Sequence, residues 1–191
     1  SHVFAEMASE FCQTVEKDAL GNVIATRTAS RPNAPTIMLE AHADKTGLMI
    51  RHITNDGFLL FSSLGGIDSN ILPASRVTIY GKEKIKGVIC ALPPHINKTD
   101  KPPDKNKLCI DTGYSREKIE KEVRVGDIAV LDSDFTQLMG NMISCSALDD
   151  RAGLAVIIKT LDLLKAEPLT VNIAAVAAVQ EEVGMRGAGA A

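Results

Sequence analysis

Three short stretches of this 191-residue chain gather side chains that can do chemistry. The first is "EAHAD", with His42 and Asp44. The second is "SALDDRAG", with Asp149 and Asp150. The third is "VQEEVGMRGA", with Glu181 beside Glu182. Imidazole and carboxylate are the donors that zinc, cobalt and manganese accept. The paired glutamates raise the hardest question. They follow the apolar run "VNIAAVAAV", and a carboxylate buried without a partner is costly. A divalent cation resolves it. Neighbouring residues on an extended backbone point to different sides, so one carboxylate binds the cation and the other stands over an open coordination position. That second group then acts as general base on water acidified by the cation, toward a pKa of about 7. The H-x-D spacing has its own logic. Residues two apart share a strand face, so Asp44 is expected to reach the His42 ring and fix its tautomer.

Each cluster also has a plainer reading. His42 alone is a hydrogen-bonded core histidine. Asp149 and Asp150 are a helix N-cap followed by a first-turn acid, both favourable at a helix N-terminus. Glu181 and Glu182 are a solvated strand end. Their joint occurrence in one chain favours the metal.

The elements that must position these groups read as follows. Val3–Gln13 is a helix with Val3, Phe4, Met7 and Phe11 near one face, and Thr14–Thr28 is two strands around the "LGN" turn. "PTIMLEAH" is a buried strand, "GLMIRHI" a second strand, and "NDG" at Asn55–Gly57 a hairpin turn. Short strands follow at Phe58–Ser62, Arg76–Gly81, Lys84–Ala91, Leu108–Ile110 and Asp127–Leu131, the texture of a small barrel. Leu92–Lys107 is a proline-rich surface loop. Ser115–Glu122 is a short polar helix capped by Ser115. Asp150–Lys165 is an amphipathic helix burying Leu154, Ile157, Ile158, Leu161 and Leu164, and Thr170–Val179 is a buried strand. The fold class is therefore α/β. Residues 1–56 and 141–191 form the catalytic domain, and 57–140 form an inserted all-β, barrel-like module. All three clusters fall where open α/β sheets bind ligands, beyond the carboxyl ends of strands.

Composition narrows the function. A net charge of -3 gives no basic field for nucleic acid or an anionic membrane, and the absence of Trp leaves few rings for base stacking. Cys12, Cys90, Cys109 and Cys145 form no C-x-x-C pair and read as free thiols of a reducing, cytoplasmic location. The run Ile173–Val179 is too short to cross a bilayer.

In this order, "LEAHADKTGLMI", "LGGID", "ILPASRVTIYG", "KGVI", "ALDDRAGLAVII" and "VQEEVGMRGA" resemble the TET-type dinuclear metallo-aminopeptidases, the glutamyl aminopeptidase and cellulase M-like family, over nearly the whole chain. The resemblance implies a mixed sheet with flanking helices interrupted by a barrel-like module. It implies two divalent metal ions, zinc or cobalt with manganese also accommodated, and release of N-terminal residues from peptides. It implies a homo-oligomer built from dimers, up to a dodecamer. Carried over by position, His42 binds one metal, Asp149 bridges both, Glu182 binds the other, Glu181 is the general base, and Asp44 supports His42. The chain departs from the pattern at Lys45, where the family usually has Glu. The family also supplies a further Asp and a late His after the R-G-A motif, whereas this sequence ends at Ala191 and its other histidines, His2, His52 and His95, lie upstream. Part of the site is thus expected outside the sequence. A non-catalytic assembly subunit and a glycoside hydrolase working through two carboxylates are the alternatives. Self-association is expected through the inserted module, whose "GFLLFSSLGGI" is expected to leave apolar surface exposed.

Overall fold

The expected strands and helices form in sequence order, and residues 1–93 and 102–191 are described in the computed structural model. The first run carries α1 (His2–Ser9), β1 (Thr14–Lys17), β2 (Val23–Arg27) and β3 (Thr36–His42). The second carries β4 (Gly47–Ile53), β5 (Leu59–Leu64), β6 (Arg76–Tyr80), β7 (Lys84–Cys90) and β8 (Cys109–Asp111). It continues with α2 (Arg116–Glu122), β9 (Ile128–Leu131) and a small hairpin, β10 (Thr136–Gln137) with β11 (Ile143–Ser144). The third carries α3 (Leu148–Leu164) and β12 (Asn172–Ala178). Two units result: Ser1–Lys45 with Ala147–Ala191, and Thr46–Ser146. Hydropathy texture had placed the insertion at 57–140. The unit begins earlier because β4 pairs with β5 and β9 rather than with β3.

The first unit is a four-stranded sheet in the order β1-β2-β12-β3. β12 is antiparallel to β2 and parallel to β3, with Ala178 opposite His42. Its alanines keep the sheet surface low. Ala175 and Ala177 are buried in one core with Leu154, Ile157, Ile158 and Leu161 of α3 and Phe4 and Ala8 of α1. The i, i+3, i+4, i+7 pattern thus faces the core as predicted, and each such side chain contributes about 1.5–3 kcal/mol when fully buried. Arg27 fixes the far end of α3. Its guanidinium is buried and donates to the carbonyls of Leu164, Lys165 and Glu167 at 2.8, 3.1 and 3.2 Å, satisfying acceptors at the helix C-terminus. One expectation fails on β3. The apolar run reads as a buried strand, whereas among the described residues β3 pairs with β12 alone, and Ile37 and Met38 are about half exposed.

The second unit is a closed six-stranded barrel, β4-β5-β8-β7-β6-β9. Closure removes the exposed strand edges, and inward residues alternate along each strand. Leu48, Ile50, Leu59, Phe61, Val77, Ile79, Ile89 and Ile110 fill it. The "NDG" turn forms as read, with Gly57 at a φ of +89°, where a Cβ would meet the Tyr114 carbonyl at 2.4 Å. Other details differ. Ser115 precedes α2 but its hydroxyl makes no capping bond. Leu59, Phe61 and Ile67 are buried, so "GFLLFSSLGGI" is core rather than exposed apolar surface. Exposed apolar residues gather instead around the β10–β11 hairpin, at Phe135, Leu138, Met139 and Met142, with others such as Ile71 and Val125 elsewhere in the unit. The loop read at Leu92–Lys107 falls partly outside the described residues.

On the barrel wall, the Thr78 hydroxyl donates to Asp132 Oδ1 at 2.5 Å, and Lys86 Nζ donates to both Thr78 and Asp132 at 2.8 and 2.9 Å. The Thr78 bond outweighs partial burial and, with Lys86 and Arg76, holds the Asp132 carboxyl below its ordinary 3.8. A depressed native pKa stabilises the fold above the unfolded value and is lost as pH falls through the native one. Asp132→Asn should therefore cost about 1–3 kcal/mol at pH 7, and less at pH 3. Thermal melts at the two pH values check this; an equal loss at both would mean that the carboxylate charge plays no part.

Candidate metal centre

The site is assembled by strand register. Because β3 and β12 run parallel with Ala178 opposite His42, both strands end on the same level, and Ala43 N–H donates to the Ala178 carbonyl at 2.8 Å. His42 therefore stands at the strand end from which the chain runs on to Glu181 and Glu182. Helix α3 brings the third group. Its two aspartates divide their work, since neither has helical backbone angles. Asp150 accepts from the Gly153 amide at 3.0 Å and so caps the helix, the part that the plainer reading gives to Asp149. Asp149 instead turns to His42, with its Oδ1 3.2 Å from Nε2, while its side chain stays 93% exposed.

The His42 ring is only 7% exposed, and its surroundings fix its protonation. Nδ1 lies 3.2 Å from the backbone carbonyl of Asp44, which only accepts, so Nδ1 carries a proton. Nε2 then faces two more acceptors, Asp149 Oδ1 at 3.2 Å and Glu181 Oε2 at 3.7 Å. A neutral ring would aim a lone pair at carboxylates. The arrangement is satisfied only by a second proton or by a cation at Nε2. Burial opposes charge on the ring, but the Asp44 carbonyl, the Asp149 carboxylate and the charges of Asp44 and Glu181 outweigh it. They raise the imidazole above its ordinary 6.5.

Asp44 does more than was read from H-x-D, and does it differently. Its carbonyl, not its carboxylate, makes the hydrogen bond to His42, and its carboxylate Oδ1 stands 3.7 Å from Nδ1. The carboxylate is turned to the third cluster, accepting from the Glu181 amide at 3.2 Å and the Glu182 amide at 3.3 Å. The Glu181–Glu182 turn is also closed on itself. Gly184 and Met185 amides donate to the Glu181 carbonyl at 2.9 and 2.8 Å, and Gln180 sits at a φ of 59°. Glu182 does not come within ion-pair distance of His42 among the described residues, and the pair sits in a turn rather than on the extended backbone expected for it. Two residues that hold the site were not singled out from the sequence: Arg27, and Asn22 of the "LGN" turn, which was read only as punctuation.

The donors suit a divalent cation. Two ligands about 2.0–2.1 Å from one tetrahedral ion lie roughly 3.3 Å apart, and His42 Nε2 and Asp149 Oδ1 are 3.2 Å apart. The surrounding charge is strongly negative: Asp44, Asp149 and Glu181 all face one imidazole. Among the described residues, no three such groups form a ready cage. In the metal-free protein, His42 should titrate above 6.5, and Asp149→Asn should lower that value, because the exposed Asp149 carboxylate favours the imidazolium. Proton NMR of the ring resolves the two; an unchanged titration would mean that Asp149 is not held against Nε2. Metal affinity should fall as pH drops through the raised value, since neutral imidazole is the ligand.

Known proteins share this arrangement of elements. A lysyl aminopeptidase of Pyrococcus furiosus is 34% identical over 190 residues, covering 96% of this chain and 54% of that protein. A solved aminopeptidase of the archaeon Desulfurococcus kamchatkensis matches with a TM-score of 0.91 at 39% identity, over 98% of this chain and 52% of that one. The TET1 peptidase of Pyrococcus horikoshii, described as assembling into a tetrahedron or a large octahedral shell, matches with a TM-score of 0.84 at 32% identity. It is covered to 57%, and this chain to 98%. The chain thus spans about half the length of the relatives it matches. The expected α/β architecture with its barrel is the one these aminopeptidases have. With residues 21–191 matching the model of the M42 glutamyl aminopeptidases, the chain belongs to that family.

Proposed function

We propose that this chain carries active-site residues of a metal-dependent aminopeptidase, which removes N-terminal residues from peptides. The observation that carries the reading is His42 Nε2, buried and aimed at the Asp149 and Glu181 carboxylates while Nδ1 is already committed to a carbonyl. Family membership and the names of the relatives support the same activity.

In this reading His42, Asp149 and Glu182 would be the residues that hold two divalent ions, zinc, cobalt or manganese. Such ions, when bound, supply Lewis acidity to the scissile carbonyl and to water. The chain's own residues do the rest. Glu181 takes a proton from the attacking water on its carboxylate and returns it to the leaving amine, a task worth about 10²–10⁴ in rate. Its carboxylate is the one of the pair that stands near His42 among the described residues, with Oε2 3.7 Å from Nε2. Asp44 holds the Glu181 and Glu182 amides through its carboxylate and the His42 ring through its carbonyl, so that one residue aligns base and ligand together. The shells and dodecamers formed by relatives support a homo-oligomer here too.

The two glutamates should separate experimentally. Glu181→Gln should retain metal and lose activity by about 10²–10⁴-fold, whereas Glu182→Gln should lose bound metal. Metal analysis alongside turnover of aminoacyl p-nitroanilides decides it, and equal metal loss in both variants would mean the roles are misassigned. Removing metal with a chelator should abolish turnover, and restoring zinc, cobalt or manganese should recover it. Turnover that survives chelation would exclude the metal-dependent reading.

A further inference from the structure

Asn22 is fully buried, yet it belongs to a turn and lies far in sequence from either glutamate. Each polar atom of its side chain is used. Nδ2 donates to Asp18 Oδ2 at 2.7 Å and to the Gly187 carbonyl at 2.9 Å, and Oδ1 accepts from the Val179 amide at 3.0 Å. Two acceptors face one end of the amide and one donor faces the other, so its orientation is not ambiguous. Val179 and Gly187 are the two feet of the turn that carries Glu181 and Glu182. Asn22 therefore closes that turn at its base, while the Asp44 carboxylate grips its middle through the Glu181 and Glu182 amides.

Two further features belong to the same joint. Asp18 orients Asn22, with Oδ1 accepting from the amides of Leu20, Gly21 and Asn22 at 2.9, 2.7 and 2.9 Å. Gly187 is buried against it. A Cβ there would meet the Val179 carbonyl at 2.1 Å and Asn22 Oδ1 at 2.5 Å, so the joint accepts no side chain at that position. Asn22→Ala would leave the Val179 amide without its partner in a buried place and would take from the Gly187 carbonyl its one side-chain donor, the Ala190 and Ala191 amides remaining at 3.0 and 3.1 Å.

We propose that Asn22, oriented by Asp18, is a positioning residue for the Glu181–Glu182 pair, setting where both carboxylates stand relative to His42 and Asp149. This rests on the reading of that pair as base and metal ligand. Asn22 touches no reacting atom. Its effect passes through the turn, where a displacement of the order of 1 Å costs about 10²-fold in rate.

The test combines two readouts on the protein and its Asn22→Ala and Asp18→Asn variants. Hydrogen exchange followed by mass spectrometry reports the turn directly. In Asn22→Ala, exchange across 179–187 should rise at least tenfold while β2 and β12 keep their protection. With zinc, cobalt or manganese supplied, kcat on aminoacyl p-nitroanilides should fall by about 10–100-fold with KM little changed. Asp18→Asn keeps the shape of the turn and should show the same pattern more weakly; it decides the matter if Asn22→Ala does not fold. Unchanged exchange at 179–187, exchange rising equally through the sheet, or a loosened turn with normal kcat would each overturn the proposal. If the unaltered protein with metal turns over no aminoacyl p-nitroanilide, the aminopeptidase reading fails, while exchange at 179–187 still decides whether Asn22 holds the turn.

Discussion

The parallel pairing of β3 with β12, in the register that sets Ala178 opposite His42, is the constraint on which the site depends. A slip of one residue would turn His42 to the other face of the sheet and move the strand ends apart. Register in turn is held by burial. The small residues of β12 lie under the apolar faces of α1 and α3, so sliding the strand would expose that core. Helix α3 is fixed at its far end by Arg27 of β2 and presents Asp149 at its near end. One sheet and one helix thus deliver an imidazole and a carboxylate to within 3.2 Å of each other.

Polar groups then do what packing cannot. The turn after β12 carries two adjacent carboxylates and two non-glycine residues at positive φ, Gln180 and Met185, a poor combination for a segment left to itself. Asp44 and Asn22 hold it by its backbone amides and carbonyl, so these bonds take up neither glutamate carboxylate. This separation has a physical use. Groups that bind a cation or move a proton cannot also spend their lone pairs on holding the fold, so neighbours bear the structural hydrogen bonds. The same division appears between Asp149 and Asp150, where one acid caps the helix and the other is free to face His42.

Much of this was legible in the sequence because its periodicities are local. The helical pattern at Leu154, Ile157, Ile158 and Leu161 and the "NDG" hairpin need no knowledge of the rest of the chain, and both form as read. The clusters of His42, Asp149 and Glu181 were legible as chemistry, and the structure brings those three together. What was not legible depends on partners distant in sequence. Ile37 and Met38 are about half exposed, which an apolar run of strand length does not reveal. The membership of β4 in the barrel is a matter of pairing with β9. Asn22 meets Val179 across 157 positions, so a residue that looks like turn punctuation becomes the base of the site. Asp44 was read through its carboxylate, while its carbonyl makes the bond to the ring.

The central claim is that His42 and Asp149 are two ligands of one cation rather than a hydrogen-bonded pair. Anomalous X-ray diffraction from crystals grown with zinc or manganese tests it most directly. The account predicts a peak within about 2.0–2.2 Å of both His42 Nε2 and Asp149 Oδ1. A peak elsewhere, or none with His42 and Asp149 still in direct contact at saturating metal, would contradict it.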